Sequence, residues 1–185
     1  MKVTDLLIRM RPRMAQSAVA AALLALCACS SARPLAVVPH VDLPRFMGDW
    51  YVIASIPTSI EKDAFNAVES YRLDGDGTIA TTFTFRAGGL DGELKRYNPR
   101  GFVLDRESNA VWGMQFIWPV KADYRIIYVA DDYSQTVIAR EKRDYVWIMA
   151  RTPSLTEGDY QRLLALIGAQ GYDAALIRKV PQQWH

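Results

Sequence analysis

A hydrolytic centre needs an imidazole held between a nucleophile and a carboxylate, and this 185-residue chain has two histidines, His40 and His185. The first lies beside Pro39 in an irregular stretch and the second is the final residue, so neither is placed for a triad. Serine, aspartate and glutamate are plentiful on turn-like segments, yet no nucleophile elbow and no paired nucleophile and base occur. Asp74-Gly75-Asp76 begins like a calcium loop, but Phe85 stands at the twelfth position where a bidentate glutamate would close the cage. Zinc-ligand spacing and a glycine-rich phosphate loop are both absent from the sequence. The expectation is a protein that binds something, without catalytic residues, metal or cofactor.

Residues 1–28 carry Lys2, Arg9, Arg11 and Arg13 ahead of an apolar stretch, Ala18–Ala28, that ends in small residues, the pattern of a secretory signal peptide. That stretch of 11 residues is far short of the roughly 20 a membrane-spanning helix needs. Leu26-Cys27-Ala28-Cys29 resembles the bacterial lipobox, in which Cys29 becomes the lipid-bearing first residue and Ser30 after it implies delivery to the outer membrane. The alternative is ordinary cleavage near Ala28 or Ala32, which leaves both cysteines incidental and the product periplasmic. Ser30–His40, with Arg33-Pro34 and Pro39, reads as a tether. The organisation expected is a signal peptide over 1–28, a lipidated tether over 29–41 and one domain over 42–185.

Residues 1–28 hold four of the 22 basic residues and one of the 20 acidic ones, so the remainder carries a net charge of −1. The basic character of the whole chain therefore comes from a discarded segment, and no electrostatic case for nucleic acid survives. Both cysteines sit at the processing site, which leaves the domain without a disulfide and dependent on packing. The 157 residues after position 28 suit one domain with a substantial core, and they hold all 20 aromatic residues.

From Gly48 onward, β-branched and aromatic residues recur in short runs separated by Gly, Asp, Asn and Pro. Eight runs predict strands: 50–56, 67–73, 78–85, 94–104, 111–118, 124–130, 136–140 and 145–150. Asp74-Gly75-Asp76-Gly77 and Glu107-Ser108-Asn109 are turn signals, and such short connections favour consecutive antiparallel pairing. One helix follows, with Ser154-Leu155-Thr156-Glu157 as a capping box, Tyr160, Leu163, Leu164 and Ile167 on one face, and Gly168 and Gly171 as its stop. A short extra strand over 174–180 ends before Pro181. The fold class is all-β: an eight-stranded antiparallel up-and-down barrel with one flanking C-terminal α-helix and a short extra strand, closed so that no edge is left unpaired.

Gly48-Asp49-Trp50-Tyr51-x-Ile53-Ala54 at the first strand and Tyr145-x-Trp147-Ile148-x-x-Arg151-Thr152-Pro153 at the last make the chain resemble the lipocalins, in particular the bacterial outer-membrane lipoprotein lipocalins related to apolipoprotein D. Tyr124-x-Ile126-Ile127 to Tyr133 approximates the middle family motif, with Ala130-Asp131-Asp132-Tyr133 in place of Thr-Asp-x-x-Tyr. The resemblance runs from Val41 to the C-terminus. It implies that Trp50 plugs the closed end of the barrel, that Arg151 lies over its ring in a clasp worth about 1–2 kcal/mol, and that Gly48 gives the chain room beneath.

Alternation anchored on Trp50 puts Val52, Ala54 and Ile56 on the inner face with it. The family's strand phase implies a ligand-binding lining of Glu69, Tyr71, Phe83, Phe85, Trp112, Met114, Phe116, Trp118, Tyr124, Ile126, Tyr128, Trp147 and Met149, with Ala67, Leu73 and Tyr145 also inward. Such walls suit an acyl chain; the alternative is that the same side chains fill a solid core. An inward Glu69 would cost several kcal/mol unless paired or protonated, so it either meets a cationic ligand group or an arginine such as Arg125, or faces solvent on a strand shifted by one. Trp118, before Pro119, lies at the mouth or on the plain surface.

The resemblance implies binding of a fatty acid, lysophospholipid or similar small hydrophobic ligand, in lipid storage, transport or membrane maintenance, by a protein lipid-anchored at the cell outer membrane. Two alternatives stay open: a structural lipoprotein with a filled barrel acting through surface contacts, and an enzyme like the relatives prostaglandin D synthase and violaxanthin de-epoxidase. A homodimer is left open as a partner arrangement.

Overall fold

Burial along residues 78–86 alternates without a fault, with Ile79, Thr81, Phe83 and Phe85 buried and their neighbours less so, and this period-2 signal marks one face of the strand as turned to an interior. The computed structural model describes residues 33–184. The signal segment 1–28, the Cys29 lipidation site and the tether up to residue 32 lie outside the described residues.

The strands are β1 (Gly48–Ile56), β2 (Ala64–Leu73), β3 (Thr78–Ala87), β4 (Glu93–Tyr97), β5 (Arg100–Val103), β6 (Val111–Ile117), β7 (Val120–Val129), β8 (Gln135–Ala139), β9 (Val146–Ala150) and β10 (Arg178–Lys179). Each pairs antiparallel with the next around the barrel, and β9 returns to β1 to close it. β4 and β5 share the neighbour β3 and make one stave between them, so eight staves form the wall while β10 adds outside β1. A four-residue helix, α1 (Leu43–Phe46), precedes β1, and α2 (Glu157–Ala169) follows β9.

Two apolar clusters result. The inner one joins Trp50, Val52, Tyr71, Ile79, Phe83, Trp112, Ile126, Ile138 and Met149 inside the barrel. The outer one packs Tyr160, Leu163 and Ile167 of α2 on Ile53, Ala54, Val137, Ala139, Val146 and Ile148 of the wall. Leu35 and Val41 are buried as well, and Val38 N–H and Val41 N–H donate to the carbonyls of Ile126 and Ser108, so residues assigned by sequence to the tether run along the barrel.

Several sequence expectations change. The segment 94–104 is broken into β4 and β5 at Asn98-Pro99, because proline has no N–H to give the ladder. A bulge between Val52 and Ala54 reverses the phase of β1: Trp50 and Val52 face inward, but Ala54 and Ile56 belong to the outer cluster. A second bulge between Ile126 and Tyr128 does the same to β7, which sends Tyr128 outward beneath α2. Leu73 is exposed at the end of β2, and Tyr145 precedes β9.

The α2 cap is Thr156, whose hydroxyl accepts from Asp159 N–H, in place of Ser154 with Glu157. Of the two glycines, Gly168 lies inside α2 and Gly171, at φ +90°, follows its end. The expected final strand is reduced to two residues, because Asp173 caps a 3-10 turn over Ala174–Leu176 first.

Candidate functional site

The meander sorts its connections into two ends. Gly48, the 74–77 turn, the 104–110 and 130–134 loops and Arg151 gather at one; the 57–63, 88–92, 118–119 and 140–145 connections gather at the other.

At the first end, α1 forms a floor. Asp42 caps it by accepting from Arg45 N–H, and Phe46 is driven fully inside. Trp50 Nε1–H donates to the Phe46 carbonyl at 2.8 Å, and the two rings lie 5.0 Å apart. Trp112 stands edge-on to Phe46 at 5.5 Å, stacks on Tyr124 at 5.1 Å and donates its indole N–H to Asn109 O at 2.7 Å. The Arg151 guanidinium lies 3.8 Å from the centre of the Trp50 ring and donates to the carbonyls of Asp49, Arg45, Phe46 and Met47 at 2.8–3.0 Å. It thus satisfies the carbonyls that the end of α1 leaves without helical partners. Gly48, at φ +92°, carries the chain under this guanidinium, and a Cβ there would sit 3.4 Å from Nη1 in a backbone region that other residues avoid.

Above the floor the interior opens into a cavity of about 460 Å³, within the range of small-ligand sites. Glu69, Phe83, Met114, Phe116, Tyr124 and Trp147 line it. Tyr71, Phe85, Trp112, Ile126 and Met149 are inward but packed in the solid part of the core, off the cavity wall. Tyr128 is outside, where the Arg162 guanidinium lies 5.2 Å from its ring centre. Trp118 is 82% exposed at the β6–β7 turn and is not part of the lining.

The lining also includes residues that strand periodicity does not select. Thr58, Ile60 and Glu61 come from the 57–63 loop, Arg140 from the 140–145 loop, and Asn98 and Pro99 from the break between β4 and β5. Loops have no alternation to read. The one usable signal was Pro99 itself, which marks a strand break.

Glu69 lies on the inner face of β2, opposite Trp50 on β1 and Phe83 on β3. Its carboxylate accepts from Tyr71 O–H, and Tyr71 in turn shares a 2.7 Å hydrogen bond with Tyr124. Burial, with the Glu61 carboxylate adding to it, pushes Glu69 up to about 8. Burial also raises Glu61, against the opposing hydrogen bonds from Thr58 N–H at 2.9 Å and Trp147 Nε1–H at 3.0 Å. Tyr124 is raised by burial and then by Glu69. Arg125 is not the partner of Glu69: it pairs with Asp123 at 3.0 Å and Glu141 at 3.1 Å. Among the described residues no group of three or more His, Cys, Asp and Glu side chains could hold a metal ion.

Comparison with known proteins agrees with this architecture. Residues 41–182 match a family described as the lipocalin-like domain. The chain is 30% identical over 162 residues to temperature-induced lipocalin-1 of Arabidopsis thaliana, covering 81% of this chain and 84% of that protein. It is 29% identical over 161 residues to the outer membrane lipoprotein Blc of Escherichia coli K12, covering 80% and 85%. Among solved structures, insecticyanin from the tobacco hornworm Manduca sexta superposes with a TM-score of 0.64 at 15% identity, over 83% of this chain and 86% of that one.

Proposed function

Because the chain belongs to the lipocalin family, whose members bind small hydrophobic ligands, we propose that its barrel carries one fatty acid, lysophospholipid or similar monoacyl lipid at a time. The observation that carries this reading is the 460 Å³ cavity with Ile60, Phe83, Met114, Phe116 and Trp147 on its walls. An acyl chain entering it leaves water at a gain of about 25 cal/mol per Å² of apolar area, less the cost of ordering the chain. The filled-barrel alternative fits the lower half of the interior, where Trp50, Trp112 and Ile126 leave no room; the upper half favours carriage.

The biological setting we propose is lipid storage, transport or membrane maintenance in the cell envelope, with the chain anchored to the outer membrane through Cys29. The E. coli relative's description as an outer membrane lipoprotein supports that setting. Organic extraction of the purified protein followed by mass spectrometry should release a monoacyl lipid. Titration with lysophospholipid should shift or quench tryptophan emission at one equivalent, since Trp147 lines the cavity. Absence of both a bound lipid and an emission change would overturn the carrier reading. For the anchor, Cys29→Ser should move the protein from the membrane to the soluble fraction, and unchanged fractionation would remove Cys29 from the account.

A further inference from the structure

The cavity is lopsided in charge. Four ionic residues line it: Glu61, Glu69, Asp123 and Arg140. Asp123 is matched by Arg125, and Arg140 by Asp144 at 3.4 Å. Glu61 and Glu69 have no cationic partner among the described residues; their hydrogen bonds come from Thr58, Trp147 and Tyr71. Two carboxyl groups share one apolar chamber, and what they lack is a counter-charge. An ammonium supplies it, with three N–H donors that two acceptors can divide.

A second observation points to the complementary half of the same head. Arg140 Nε is a buried side-chain N–H without a hydrogen-bond partner among the described residues, and Arg140 lines this cavity. A buried N–H left unsatisfied is costly, and an oxygen acceptor on the ligand would complete it. The greasy side chains Phe83, Met114, Phe116 and Ile117 lie on β3 and β6, whereas Thr58, Glu61 and Arg140 come from the 57–63 and 140–145 loops. The chamber thus provides a polar side for a head and an apolar side for a tail.

We infer that this cavity selects monoacyl amphiphiles whose head carries an ammonium group close to an oxygen acceptor, with Glu61 and Glu69 facing the ammonium and Arg140 Nε facing the oxygen. This rests on the carrier reading above and narrows it, because a simple fatty acid would bring a third carboxyl group, and no cation, to the acidic pair. An ammonium beside these two groups favours their charged form, whereas a ligand carboxylate offers them no counter-charge.

The test uses purified protein and four lauroyl-length probes: lysophosphatidylethanolamine, lysophosphatidylglycerol, dodecanoic acid and dodecylamine, with binding read by calorimetry at pH 7. The two lysolipids share chain and phosphate and differ in the ammonium, so the ethanolamine form should bind roughly tenfold or more tightly than the glycerol form. The acid should bind weakest of the four. Glu61→Gln with Glu69→Gln should bring the two lysolipids to near-equal affinity, and Arg140→Gln should weaken both of them more than dodecylamine. Near-UV circular dichroism of the floor tryptophans checks that each variant is folded; if one is not, the wild-type ranking alone decides. Equal affinity of the two lysolipids, or tightest binding of dodecanoic acid, overturns the inference and leaves the carrier reading standing. Failure of all four to bind overturns the carrier reading itself.

Discussion

At the closed end of the barrel every polar side-chain atom of Trp50, Trp112 and Arg151 has a partner: the indoles donate to Phe46 O and Asn109 O, and the guanidinium to Tyr133 O and the carbonyls about α1. At the open end Arg140 Nε has none, and Glu61 and Glu69 have no cation among the described residues. Both ends are rich in aromatics, so hydrophobicity does not separate them. Satisfaction does. A buried network completed by its own chain adds to stability, whereas one left incomplete carries a cost that a bound molecule can lift. The same wall therefore serves folding at one end and recognition at the other.

The sharpest way to break this contrast is at the floor. Trp50→Ala removes a fully buried indole that packs on Phe46 and Arg151, and should cost about 3–5 kcal/mol in urea unfolding. A loss below about 1 kcal/mol would mean that the floor is not what holds the barrel closed.

The open end should betray itself through pH. Glu69 has an ordinary carboxyl pKa of 4.5 in the unfolded chain and about 8 in the folded one, so the folded state holds a proton that the unfolded state has released between those values. Stability contributed by the protonated form is complete below 4.5 and falls as pH rises towards 8, by up to about 1.4 kcal/mol per pH unit. Glu61, Tyr71 and Tyr124 are the titratable groups that face it, and Glu61 acts in the same direction. Unfolding titrations from pH 5 to 8 should therefore slope downward in the ligand-free protein and flatten in Glu69→Gln. A flat wild-type profile would show Glu69 to be solvated.

Arg151→Met tests how much of the floor is electrostatic. It keeps a long apolar stem over Trp50 but abandons the carbonyls of Asp49, Arg45, Phe46 and Met47. Those carbonyls are partly open to water, so the expected loss is about 1–2 kcal/mol, less than that of Trp50→Ala. An equal loss would place the floor's strength in the guanidinium rather than the indole.

Much of this was readable in the sequence, and the failures have physical causes. Trp50 and Arg151 stand at motif positions, and β3 alternates cleanly, so the barrel, its closure and its floor could be anticipated. Tyr128 is read as inward yet lies outside, because a bulge between it and Ile126 inverts the phase while leaving the sequence pattern unmarked. Ala54 and Ile56 moved outward for the same reason. Glu61 and Arg140 were invisible because they reach the cavity from loops, whose course is set by tertiary contacts such as the Trp147 indole donating to Glu61. Periodicity reports which face of a strand is buried, and says nothing of how deep the side chains fill the space behind it: Trp112 and Trp147 share the inner face, yet one is floor and the other is cavity wall.

The smallest expected effect is at Trp118, and it sharpens the comparison from the solvent side. Trp118 sits at the tip of the β6–β7 hairpin, 82% exposed beside exposed Ile117 and Val120, with no ring contact to the cavity aromatics. A side chain that buries so little should not support the fold, and Trp118→Ser should leave unfolding within about 0.5 kcal/mol of wild type. Its indole is the most water-exposed of the tryptophans at 82%, against 0% for Trp50 and Trp112, so the same variant should shift the remaining emission to the blue. If instead the variant loses 2 kcal/mol or more, the hairpin tip is packed in solution against something that covers it, and the open end is a smaller opening than the cavity beneath it requires.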